Sequence, residues 1–356
     1  MLLDLIKIFA PALLAFTIGI AITPVVSHYL YANKMWKKRA GKVGLDGNDT
    51  PLFNKLHESR EIGTPRLGGV IIWVSAAIAT FGLYAAGVLF DSSLISKLDF
   101  LSRDQTWIPL SALLIGAFIG LIDDLFEIRG SGDYAAGGLS LRKRLVLVGV
   151  VGLLASLWFH YKLDVNTIGL PVIGQFELGS LIIPLFTLVI IAVYSGGIID
   201  GIDGLAGGIF AVIFGAYGAI AFFQNQINLS AFCAAVLGGI LAFLWFNIPP
   251  ARFYMSETGS MALTLTLAVV AFMTDSLGGG EGLFVLPIIA FPLLVTSLSA
   301  IIQMLSKKFL GRKVFQIAPL HHHFEAIGWP SYKVVMRYWV LSVIFALLGV
   351  IVTLVS

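Results

Sequence analysis

Eight side chains in this sequence have the types and spacing to handle phosphate or a hard metal ion. Asp123 and Asp124 are adjacent, in GLIDDLFEI. Asp200 and Asp203 are three apart among glycines, in SGGIIDGIDGLAGG, and Glu257 follows in NIPPARFYMSETGS. His321, His322 and His323 complete the set, in APLHHHFE. Carboxylate oxygens with few imidazole partners favour magnesium or manganese over zinc. Cations close in sequence, among them Arg66, Arg142, Lys143, Arg144, Arg312 and Lys313, can hold phosphate oxygens or lipid headgroups. Each group also has a plainer use: Asp203 can cap a helix, paired acids can end one in water, and neighbouring histidines cannot all chelate one ion. Taken together on one face, they point to phosphate chemistry assisted by a divalent cation.

What must position them is a membrane-embedded scaffold. Of the 356 residues, 58% are hydrophobic and 12% are charged, about half the usual supply of charge in a soluble domain. Lys and Arg exceed Asp and Glu by 23 − 20 = 3, which leaves no basic surface for nucleic acid. The single cysteine, Cys233, excludes a disulfide framework within one chain, and no P-loop is present for ATP hydrolysis. Ten apolar stretches are long enough to span a bilayer: 8–27, 67–90, 107–126, 144–161, 180–199, 204–223, 229–248, 259–275, 282–305 and 334–355. The first lacks a cleavage signal and reads as a retained helix. The expected fold is an all-α polytopic membrane protein, a single integral membrane unit over 1–356.

Charge bias orients the spans. All but four of the 23 Lys and Arg residues (Lys7, Lys97, Arg103 and Lys162) fall in the loops after odd-numbered spans. By the positive-inside rule those loops are cytoplasmic and both termini are external. Every acidic and histidine motif falls on the cytoplasmic side. The acids therefore cluster at one membrane face, which disfavours a cation-coupled transporter, whose acids belong near mid-membrane. On the outer side, 165–178 has the β-branched and glycine-proline pattern of a short hairpin.

In order along the chain stand Gly63-Thr64-Pro65 with Gly68-Gly69, Asp123-Asp124, Gly138-Leu139-Ser140 and Asp200-Gly201-Ile202-Asp203-Gly204-Leu205-Ala206. Asn247 with Pro249-Pro250-Ala251, Thr258-Gly259-Ser260, and Ala318-Pro319-Leu320-His321-His322-His323-Phe324-Glu325 with Gly328-Trp329-Pro330 follow. This series resembles the polyprenyl-phosphate N-acetylhexosamine-1-phosphate transferases, and the triple histidine with Gly-Trp-Pro is similar to their muramoyl-pentapeptide branch. The resemblance implies ten helices, a cytoplasmic Mg2+-dependent site in a bacterial plasma membrane, and a homodimer. It implies transfer of phospho-N-acetylmuramoyl-pentapeptide from a UDP-linked donor to undecaprenyl phosphate, giving lipid I and UMP; the alternative is an N-acetylglucosamine-1-phosphate transferase. Asp123, Asp124 and His321 would be catalytic, with Asp123 the candidate base. Asp200, Asp203, Asn247, Tyr254, Gln303 and His322 would bind substrate, and Glu257 and Asp200 would hold the metal.

The chain also departs from that family's pattern. Glu257 stands where the pattern has Asp, one methylene longer, and Gly197 stands where it has a pocket Asn. Glu61 and Glu127 occupy positions where lysine is common. Two acids beside a diphosphate site should weaken anion binding unless Arg60, Arg66 or Arg129 compensates.

Overall fold

A computed structural model of the protein describes residues 2–38, 62–90, 93–102, 105–130 and 138–355. Arg60 and Glu61 lie outside the described residues. Ten long helices match the ten expected spans: α1 Leu2–Ala32, α2 Val70–Leu89, α3 Trp107–Arg129, α4 Leu141–Lys162 and α5 Ile182–Ser195. They continue with α6 Leu205–Phe223, α7 Ile227–Asn247, α8 Ser256–Met273, α9 Phe291–Leu310 and α10 Ser331–Val355. All ten are long and apolar enough to cross a membrane, α5 when taken with its flanking 3-10 turns. This is a multi-pass membrane protein built from helices.

The ninth boundary differs most from expectation. A short helix, Leu286–Ile289, stops at Ala290, and α9 starts at Phe291 with Pro292 in its first turn. Proline lacks the N–H that would continue a helix from before it, so two pieces form where hydropathy alone predicts one.

Helix α8 is the centre of the bundle, with 94% of its membrane window buried, against 17% for α1 and 22% for α10. Two of its mid-helix hydroxyls are satisfied locally: Thr264 donates to the Ser260 carbonyl at 2.8 Å and Thr266 to the Ala262 carbonyl at 2.7 Å. A helix can carry such residues in a dry core because the acceptor sits one turn back. Helix α3 packs directly on α8. Gly116 and Gly120, one helical turn apart on α3, face the α8 backbone at Met261–Ala262 and Glu257–Thr258. A β-carbon at Gly120 would collide with the Glu257 carbonyl. Without a hydrophobic driving force between helices in lipid, close backbone approach through small residues is what holds such a pair.

At the far end of the bundle, β1 Thr167–Leu170 and β2 Gly174–Glu177 form the expected hairpin, pairing antiparallel from Thr167↔Glu177 to Leu170↔Gly174. The Gly169 N–H donates to Asp275 Oδ1 at 2.8 Å, and the Leu283 N–H to Asp275 Oδ2 at 2.9 Å. Asp275 is fully buried and ties the hairpin to the α8–α9 connection.

Candidate active site

The acidic motifs meet at one end of the bundle, stitched to a single segment, Ala251–Thr258, that leads into α8. Asp203 Oδ2 accepts from the Ala251 N–H at 3.1 Å, and Asp200 Oδ2 from the Ser256 N–H at 2.9 Å. Asp124 accepts from Glu257 N–H (3.1 Å, Oδ1) and Thr258 N–H (2.9 Å, Oδ2). Asp200 and Asp203 from the α5–α6 link and Asp124 from α3 thus satisfy free N–H groups at and just before the start of α8, where the helix dipole favours negative charge. Asp203 does not cap α6, as its position next to that helix would allow. Gly204, at φ +78°, precedes α6 with no side-chain cap.

Asp123 and Asp124 are adjacent but do different things. Asp124 is fully buried with both oxygens on backbone donors. Asp123 accepts from the Leu139 N–H through one oxygen, and its other, Oδ2, lies 3.6 Å from Arg144 Nη1. The same Nη1 is 2.5 Å from Glu257 Oε1. Glu257 is therefore not in a link, where its sequence context places it, but in the first turn of α8. Arg144 of α4 joins it to the end of α3.

Glu127 is paired with cations, Arg66 among them. Arg66 Nη1 is 2.6 Å from Glu127 Oε2 and 4.0 Å from Asp124 Oδ1, and Lys37 Nζ is 3.1 Å from Glu127 Oε1. Arg129, the other candidate on α3, is exposed. Lys37 was not expected from the sequence, since it is far from Glu127 along the chain.

The histidines lie on a short helix, Leu320–Ala326, rather than in a loop. His321 and His322 are buried with rings 4.2 Å apart, and the Nε2 atoms of both press on Gly201 between Asp200 and Asp203. His322 Nδ1 is 2.8 Å from Glu325 Oε2, and the Ser331 hydroxyl donates to Glu325 Oε1 at 2.6 Å. The i, i+3 spacing of His322 and Glu325 is the signal for that pair once the segment is known to be helical. His323 turns away, its Nδ1 accepting from the Gln316 N–H at 3.2 Å.

Of the residues expected to bind substrate, Asp203 and Tyr254 line one cavity of about 480 Å3, with Ile62, Thr64, Pro249, Pro250 and Ala251. Asn247 is buried beside it, accepting from the Gly204 N–H at 2.9 Å and donating to the Phe253 carbonyl at 2.9 Å. Its amide joins the two loops that carry Asp203 and Tyr254. Gln303 is likewise committed to backbone: its Oε1 accepts from Val314 and Phe315 N–H at 3.0 Å, and its Nε2 donates to the Phe315 carbonyl at 2.8 Å. It shapes the segment before the histidines. Asp200 and His322 stand at the Gly201 turn, outside the cavity wall. The Trp339 indole donates to the Gly204 carbonyl at 3.2 Å and ties α10 to the same loop.

The sequence compares over nearly its whole length with curated relatives. It is 30% identical to a phospho-N-acetylmuramoyl-pentapeptide-transferase of Chloroflexus aurantiacus, covering 99% of this chain and 92% of the relative. The chain belongs to the phospho-N-acetylmuramoyl-pentapeptide-transferase family. A relative of that name from Anoxybacillus flavithermus is 31% identical over 95% of each chain, and one from Listeria monocytogenes is 30% identical over 84% of this chain and 87% of its own. The profile of glycosyl transferase family 4 matches residues 106–275, from the start of α3 through α8. Membership makes this chain a membrane transferase, and the matched span contains Asp123, Asp124, Asp200, Asp203 and Glu257.

Proposed function

We propose that this protein transfers phospho-N-acetylmuramoyl-pentapeptide from a UDP-linked donor to undecaprenyl phosphate, giving lipid I and UMP. The observation that carries the reading is similarity along nearly the full chain to transferases of that name. A phosphate oxygen of the lipid attacks the sugar-linked phosphorus of the donor, and the bond to the uridine-side phosphate breaks. Asp123 is the residue offered to the lipid phosphate, since one oxygen is anchored on Leu139 and the other faces Arg144. Asp203 and Tyr254 in the wall of the 480 Å3 cavity, with Asp200 and Asn247 behind it, serve the nucleotide end. His321 and His322, turned toward Gly201, serve the sugar-phosphate end, and Gln303 sets their segment.

Mg2+ fits the donor set. Asp123 and Glu257 both reach one cation, the Arg144 guanidinium, so one ion between them meets two hard oxygens. Asp200 bonds to the residue preceding Glu257 and brings a third carboxylate to the same turn. Among the described residues no three His, Cys, Asp or Glu side chains form a closed metal cage. That suits magnesium, which takes one or two carboxylates and completes its shell with water and substrate phosphate. When bound it supplies charge neutralisation between the attacking and leaving phosphates.

The Lys and Arg bias supports a cytoplasmic site with external termini in the bacterial plasma membrane; the whole chain acting as one unit and pairing as a homodimer is what the family resemblance implies. The test is UMP release by detergent-purified protein given Mg2+, undecaprenyl phosphate and UDP-N-acetylmuramoyl-pentapeptide, with UDP-N-acetylglucosamine in parallel. Release is expected with the muramoyl donor alone, to be lost with chelator and with Asp123→Asn. Release only with the other donor moves the protein to the sister branch. Light scattering of the same sample reads the expected dimer mass.

A further inference from the structure

Arg144 stands where one cation serves two acids. Its Nη1 lies 2.5 Å from Glu257 and 3.6 Å from Asp123, while Arg142 and Lys143 beside it in sequence are exposed. Its Nε is buried and has no hydrogen-bond acceptor. A buried donor left unmade is costly, so this guanidinium has a hydrogen-bonding demand that its present position does not meet. It also cannot leave by losing its proton, because arginine stays charged at any working pH. It can only move. The longer side chain at 257 matters here: an aspartate would end roughly 1.5 Å short of the guanidinium, at the edge of ion pairing.

We infer that Arg144 is a displaceable counter-cation. It holds Asp123 and Glu257 together through Nη1, and it leaves Glu257 when a divalent cation is taken up between them. Its departure frees Nη1, and the Nη1–Nη2 edge presents two adjacent donors, the fork that suits a phosphate oxygen pair. The departure from the family pattern at position 257 then has a use, since Glu257 is long enough to be latched when no metal is present. This rests on the proposed metal position, and so the experiment separates the two.

The measurement is Mn2+ binding, read by electron paramagnetic resonance on the full-length protein in detergent with no substrate. Wild type is compared with Arg144→Met, Arg144→Lys, Asp123→Asn and Glu257→Gln. Removing a competing charge a few ångströms from the ion should tighten Mn2+ binding in Arg144→Met by about tenfold. Arg144→Lys should show a smaller gain, since a shorter, strongly hydrated ammonium makes a weaker latch. Asp123→Asn and Glu257→Gln should weaken binding. If those two weaken it while both Arg144 variants bind no tighter than wild type, Arg144 does not compete with the metal and the inference fails. If neither acid variant changes Mn2+ affinity, the metal position itself is wrong and the inference falls with it. Melting curves establish that each variant is folded; should Arg144→Met not fold, Arg144→Lys decides.

Discussion

At the residue scale, the site divides its acids by what holds each oxygen. Asp124 spends both on backbone N–H groups at the start of α8, whereas Asp123 keeps one toward Arg144. Adjacent residues in one motif therefore have unlike environments, and nothing in the pair DD distinguishes them. Gly201 is constrained as tightly as the acids it separates. A β-carbon there would meet the Nε2 atoms of His321 and His322 at 2.5 and 2.7 Å, while one at Gly197 would make ordinary contact with Ser260 at 3.5 Å. Gly201→Ala should thus displace the histidines and lower UMP release on the order of a hundredfold. Gly197→Ala should leave rate and melting temperature near those of wild type. A kinetic comparison of the two purified variants checks this, and equal effects would remove the histidine explanation.

At the element scale, the crossing of α3 over α8 decides where Asp124 and Glu257 meet. Gly120→Ala forces a methyl group into the Glu257 carbonyl, and overpacking of this kind typically costs about 1–3 kcal/mol. Gly82→Ala on α2, with open space around it, is the control. Thermal melting in detergent should show a drop for the first and none for the second, with activity falling alongside stability in Gly120→Ala because Glu257 shifts. The hairpin end offers a pH test. Burial raises the Asp275 carboxyl from 3.8 to about 6, against the pull of the Gly169 and Leu283 N–H bonds. The folded protein then holds this proton more tightly than the unfolded chain. Its contribution is complete below pH 4 and declines as pH rises through 6, on the order of 3 kcal/mol in all. Melting between pH 4 and 7 should fall more steeply for wild type than for Asp275→Asn, and parallel curves would dismiss the effect.

At the scale of the whole molecule, the acids and histidines gather at one end of a helical bundle and the hairpin sits at the other. The positive-inside reading sends the first end to the cytoplasm. The lone cysteine, Cys233, is fully buried, which makes engineered cysteines clean reporters. In intact spheroplasts an impermeant maleimide should label Val172→Cys at the exposed hairpin tip, and should reach Lys308→Cys at the end of α9 only after permeabilisation. The reverse pattern would invert the molecule and put its donor site on the wrong side for a cytoplasmic nucleotide.

Membrane class, ten spans, the hairpin and the end where the acids collect were all legible in the sequence. Each is a local sum: hydropathy over about 20 residues, or a count of cations between spans, does not depend on how helices pack. The break at Ala290 escaped a hydropathy sum although Pro292 marks it, and the helix carrying the histidines was not legible because in so short a segment packing outweighs pattern. Nor was the wiring of the site. Arg144 finds Glu257 across 113 residues, and Arg66 and Lys37 converge on Glu127 from two other parts of the chain. Such pairings depend on how helices pack, as where glycines at 116 and 120 let the backbones of α3 and α8 touch, and such a contact is a property of two helices at once. The sequence by itself determined which groups reach this end of the molecule. Only the tertiary structure decided which of them face one another, and hence which acid is bound to backbone and which is left to meet a cation.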